Sequence, residues 1–172
     1  MLKGGGGFSP ADIDKAIEQG QFADTILLAW GFIEGQTDLM ILRAFSLDFR
    51  DPRAKFVRDR HISSKLWLLH EMGFLTDPEY SVVSRFKDQR NAIVHELLNK
   101  KFVIFGLQKK QVQDEIMTLA RDAAHASMYA EMSMLWKSVG NKEAAEGVDT
   151  GIRKRHNETL VERYKTTSTT ST

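Results

Sequence analysis

Residues 21 to about 47 read as one long helix, and that helix is apolar on nearly every side. Phe22, Ile26, Trp30, Phe32, Ile33, Met40 and Ile41 leave almost no polar face. Such a helix belongs at the centre of a bundle or at an interface between copies. Its longest apolar run, from Ile26 to Ile33, is interrupted by Gly31. That run is far short of the roughly 20 residues a membrane-spanning helix needs. The expectation is burial in protein and no membrane contact.

The other elements follow from their start and stop signals. Ser9-Pro10 is a helix start, with a serine able to cap and a proline suited to the first helical position. A short helix over residues 11–19 should stop near Gly20. Asp51-Pro52 opens an element running to Met72, basic at first (Arg53, Lys55, Arg58, Arg60) and then apolar (Ile62, Leu66, Leu69). Thr76, Pro78 and Glu79 form a capping-box start for a helix over residues 77 to about 98. Residues 102–105 are a short apolar run that fits a short strand or a buried loop equally well. A last long helix covers roughly residues 109–139, with Val112, Ile116, Leu119, Ala123 and Ala126 at three-four spacing.

From residue 141 onward large apolar side chains are rare, and residues 166–172 are only Thr and Ser. The expectation for 141–172 is a polar, mostly disordered tail carrying the small basic cluster Arg153-Lys154-Arg155. Residues 1–8, with Gly4 to Gly7, are expected to be a flexible leader. The leader lacks the apolar stretch of a secretory signal, which points to a cytoplasmic protein. The fold class is therefore all-α: one domain over residues 9–140, a bundle of four to five helices.

Composition narrows the chemistry. The 172-residue chain has no cysteine, which excludes disulfides, thiolate metal sites and cysteine nucleophiles. Lys plus Arg is 24 and Asp plus Glu is 23, a net charge of +1, so any nucleic-acid contact must come from a local patch. No metal-ligand spacing and no phosphate-binding loop occurs among the motifs, and no cofactor or metal is expected.

The chemistry-bearing constellation is Arg90-Asn91-Ala92-Ile93-Val94-His95. With Phe86 at zero and 100° per residue, Val83, Ile93, Val94 and Leu97 fall in one apolar stripe. Arg90 falls inside it at about 40°. A cation in an apolar register needs a partner or a purpose. Asn91 and His95, at about 140° and 180°, are i,i+4 neighbours able to act on one ligand. Glu34 is the lone charge on the long apolar helix between Asp24 and Asp38. It reads as Arg90's partner, as a supporting residue that orients a ligand, or as an exposed carboxylate. Neutral histidine can take a ribose 2′-hydroxyl proton, and arginine can clamp the attacked phosphate. The set suits metal-independent RNA cleavage to a 2′,3′-cyclic phosphate and a 5′-hydroxyl.

At these residues the chain resembles the HEPN superfamily, whose signature is Arg, often followed by Asn, then His after four to six residues. The likeness extends upstream through Ser64-Lys65-Leu66 and Met72-Gly73-Phe74-Leu75-Thr76, as in mannitol-repressor-like members. The resemblance implies a helical bundle and a homodimer whose motif helices share a cleft. It implies a ribonuclease with Arg90, Asn91 and His95 as catalytic residues, of toxin or defence type, with RNA as substrate. An antitoxin or regulatory protein is a possible partner class. The alternative it offers is a non-catalytic regulatory or RNA-binding module. Nucleotidyltransferase-linked HEPN toxins often carry Tyr two residues after the His; here that position is Leu97, which points away from that subclass.

Overall fold

The computed structural model describes residues 9–98 and 109–165. The leader 1–8, the apolar run at 102–105 and the Thr/Ser stretch 166–172 lie outside the described residues. Among the described residues every regular element is helical.

Helix starts follow the local chemistry. The Ser9 hydroxyl accepts the Asp12 N–H and the Asp12 carboxylate accepts the Ser9 N–H, so a full capping box opens α1 (Pro10–Glu18). Gly20 then takes φ +66°, which lets the chain reverse into α2 (Phe22–Ala44). The Asp51 carboxylate accepts the Arg53 N–H and caps α3 (Pro52–Arg58).

The element expected over 52–72 is two helices. After α3 the chain breaks at residues 59–61 and restarts as α4 (Ile62–Glu71), with His61 Nδ1 accepting the Ser63 N–H. The break is held by Lys65. Its ammonium donates to the Arg58 carbonyl at 2.9 Å and to Asp38 of α2 at 2.6 Å, satisfying a carbonyl at the end of α3. Gly73, at φ +74°, closes α4. Glu79 accepts the Thr76 N–H, and α5 (Asp77–Leu98) follows over the expected residues.

The core forms where α2 lies along α6 (Lys110–Ser138), the most extensive helix pair. α6 presents Ala120, Ala123, Ala124, Ala126 and Ala130, all fully buried. These small side chains bring the two helices close, and Ile33, Met40 and Ile41 of α2 fill the space between. Phe86 and Val83 of α5 and Leu66 and Leu69 of α4 complete the core. α2 is 23 residues long and apolar enough to cross a bilayer by length and composition, and half of that stretch is buried inside the bundle. The expectation that no segment reaches this length and polarity is corrected to that extent.

The larger correction concerns the tail. Residues 142–164 continue as helix: α7 (Lys142–Gly147), a π turn (Val148–Ile152) and α8 (Arg153–Tyr164). This run packs on α5 and α6. Only three apolar side chains, Ala145, Val148 and Leu160, are buried on it, which is why the composition reads as a tail. Charge does the rest. The Arg153 guanidinium grips the fully buried Glu79 carboxylate with two bonds of 2.7 Å. It also donates to the Phe74 carbonyl and to Asp149. A second anchor sits at the far end, where the buried Asp122 carboxylate accepts from Arg163 and, at 2.9 Å, from the Tyr164 hydroxyl. The domain therefore extends past residue 140, and the bundle has more helices than four or five.

Candidate functional site

α5 places Arg90, Asn91 and His95 on a regular helix that packs mainly on α6 and touches α2. Val82, Val83, Phe86 and Ile93 are its buried face. Arg90 stands at the edge of that face, half-buried. Its guanidinium carbon lies 4.7 Å from the centroid of the Trp30 ring of α2. Trp30 in turn leans on Phe86, with ring centroids 6.5 Å apart. Arg90 Nη1 donates to the Asn91 side-chain carbonyl at 3.1 Å.

The anomalous cation in the apolar register is thus answered by an aromatic face. Among the described residues no carboxylate pairs with Arg90. Glu34 is exposed and forms no ion pair among those residues, which corrects the reading of it as Arg90's partner. Glu34 lies one turn beyond Trp30 on α2, so the two share a helix face. A guanidinium on tryptophan keeps its charge and most of its donors, which an ion pair would consume. The Asn91 side-chain carbonyl accepts from Arg90, which leaves the amide N–H2 as the donor end of the group.

His95 is exposed. α5 is uninterrupted from Asp77 to Leu98, so the ideal offset of about 140° between Arg90 and His95 holds. One chain therefore sets Arg90 and Asn91 together, and Asn91 and His95 on one side, without bringing Arg90 and His95 face to face. Lys65, part of the upstream motif, is engaged structurally by Asp38 and Arg58 and is 7% exposed.

Two groups escaped the sequence reading. The first is a cluster of rings. His125 and Tyr129 of α6 and His156 of α8 have centroids 5.2–6.1 Å apart. Both ring nitrogens of His156 are buried without a hydrogen-bond partner. Burial pushes both imidazoles below their ordinary pKa of 6.5. Asp14 of α1, Asp122 of α6 and Glu79 of α5 pull them back up, while Arg121 and Arg163 act with burial.

The sign of the pH effect follows. The unfolded chain takes up protons near pH 6.5 that the folded chain refuses, so stability is lost as pH falls below that value. The melting temperature should drop from pH 7 to pH 5, and His156→Leu should flatten the drop. An equally steep fall in His156→Leu would clear this cluster of responsibility.

The second group is an exposed set of aromatics on and beside α3: Phe45 (46%), Phe49 (52%), Phe56 (63%) and Trp67 (55%). Arginines lie over two of these rings. Arg58 is 5.3 Å from the Phe49 centroid and Arg60 is 4.2 Å from the Phe56 centroid. The basic run was legible; what accompanies it at the surface was not.

Comparison with family models, with curated proteins and with solved structures finds no match for this chain.

Proposed function

We propose that the chain is a HEPN-like, metal-independent endoribonuclease acting as a homodimer in the cytoplasm. The observation that carries this reading is Arg90: a half-buried guanidinium, steadied by Trp30 and Asn91, with no carboxylate paired to it among the described residues. Such a group is preorganised for a phosphate. A neutral His95 takes the proton from a ribose 2′-hydroxyl, and O2′ attacks the adjacent phosphorus. Arg90 and the Asn91 amide hold the non-bridging oxygens as charge builds there. The P–O5′ bond breaks, O5′ takes a proton from water, the hydroxide so formed takes the proton held by His95, and the products are a 2′,3′-cyclic phosphate and a 5′-hydroxyl.

The offset between Arg90 and His95 is what a second copy would close. α2 exposes Leu27 (64%) on its surface, and Trp30 and Gly31, about one turn on, are only half-buried. An apolar strip of this kind beside α5 suits a two-fold contact, in which one copy's Arg90 meets the other's His95.

RNA incubated in EDTA should yield fragments whose 5′ ends accept phosphate from a polynucleotide kinase without prior dephosphorylation. Fragments with 5′-phosphates and 3′-hydroxyls would overturn the mechanism.

The second reading is a non-catalytic regulatory or RNA-binding module of mannitol-repressor type. The exposure of His95, away from Arg90 within one chain, favours it. No cleavage of any of several RNAs by a confirmed dimer would make it the better account.

A further inference from the structure

We propose that the surface around α3 is a binding platform for single-stranded RNA, separate from the Arg90 helix. The inference builds on the reading that this chain acts on RNA, and it names where the strand lies and what holds it.

The exposed rings belong to one surface. Phe45 and Phe56 line a groove of about 320 Å³ on one side of α3. Trp67 and Arg60 line a groove of about 510 Å³ on the other. Val57 lines both, and Arg60 lies over Phe56, so the two grooves are joined across the helix. Phe49 is tied to the end of the same helix by Arg58.

The charge on this surface is local. Residues 48–60 contain Arg50, Arg53, Lys55, Arg58 and Arg60 against Asp48, Asp51 and Asp59, a net of +2 in a chain whose total is +1. The remainder of the protein is therefore slightly acidic. Of the five cations only Arg53 has an ion-pair partner among the described residues, Asp51 at 2.6 Å.

The pattern favours a nucleic-acid strand over other occupants. A docked amphipathic helix or a membrane wants apolar side chains left open to it, without cations laid over their faces. Here arginines accompany the rings: Arg58 over Phe49, Arg60 over Phe56, Arg53 in the groove of Phe45 and Arg60 in that of Trp67. Separate rings accept bases one at a time, and interleaved guanidinium groups reach the phosphates between them. Duplex RNA has no free base faces to offer such rings, so the platform selects single strands.

The test uses a fluorescent 2′-O-methyl dodecamer, which lacks the nucleophilic hydroxyl and cannot be cut. Binding is read by anisotropy for the full chain, for Phe56→Ala/Trp67→Ala and for Arg58→Ala/Arg60→Ala. Phe56, Trp67 and Arg60 are exposed and Arg58 is half-buried, so circular dichroism melts of each variant confirm the fold. The aromatic pair should weaken binding by about 10-fold or more, in line with the loss of two stacking faces. The arginine pair should lower the slope of log K against log salt by about 1.4, at about 0.7 per lost phosphate contact on a single strand. Self-paired hairpin RNA should bind less tightly than the single strand.

Wild-type affinity in the aromatic variant overturns the platform, as does no binding of the dodecamer by the wild type. Binding of the wild type to phosphatidylserine vesicles in place of RNA also overturns it and assigns the surface to a membrane. Failure of the cleavage reading is seen separately. In that case unmodified RNA stays intact while the dodecamer still binds through Phe56 and Trp67.

Discussion

Replacing Arg153 by alanine should cost about 3–5 kcal/mol of stability, a large part of what a domain of this size possesses. The reason is the group left behind. Glu79 is fully buried, and among the described residues Arg153 is the one cation bonded to it, at both carboxylate oxygens. Without the guanidinium, Glu79 must either stay charged in the interior or bind a proton, and both choices disfavour the fold. The Phe74 carbonyl and Asp149 lose a donor at the same time. In urea the midpoint should move down by about 2 M, taking roughly 2 kcal/mol per molar for the slope.

A second variant separates the charge from the contacts. Arg153→Met combined with Glu79→Gln removes the pair together and leaves a side chain that can still accept the Thr76 N–H at the start of α5. It should recover most of the lost stability, since exchanging a buried pair for neutral groups is often close to neutral. If Arg153→Ala unfolds within about 0.3 M of the wild type, the C-terminal helices are not anchored there.

That anchor also explains why part of the fold was hidden in the chain. Starts were legible because capping is local. Ser9-Pro10, Asp51-Pro52 and Thr76 to Glu79 each announce a helix within a few residues of itself, and α5 spans the expected residues. Breaks and tails were not, because their causes lie far away in sequence. The gap between α3 and α4 is held by Lys65 reaching Asp38, 27 residues off. The C-terminal run stays folded through Arg153 and Glu79, 74 residues apart, with few apolar side chains to advertise it. In the candidate site the anomaly at Arg90 was readable from helical register alone. Its answer was not, since a cation over a tryptophan leaves no periodic trace; of the readings open for Glu34, the exposed carboxylate is the one the structure shows. The aromatics around α3 were equally opaque: phenylalanine in a basic stretch is as readily core as surface until the packing is seen.

If the chain is the proposed ribonuclease with His95 as its base, His95→Ala should reduce RNA cleavage by a factor of about 10² to 10⁴, the usual range for loss of a general base. Stability should hardly change, because the side chain is exposed. Arg90→Ala should reduce cleavage by about 10² to 10³, as expected for removing a donor to the developing charge. Its structural cost should be small, since the cation contact with Trp30 is worth only about 1 kcal/mol at a partly exposed site. Arg90→Lys is the sharper probe. It keeps the charge but not the planar fork that lies on Trp30 and donates to Asn91. A phosphate clamp that depends on fork geometry should lose most of its effect in the lysine variant, whereas a diffuse positive charge would be restored by it. Mixing Arg90→Ala with His95→Ala protein tests the shared cleft directly. If each copy lends one residue to the other's site, a mixed dimer regains one intact site and part of the activity. Two inactive variants that stay inactive when exchanged into mixed dimers would place both residues in a single chain's site, and the 140° offset would then require a different base from His95.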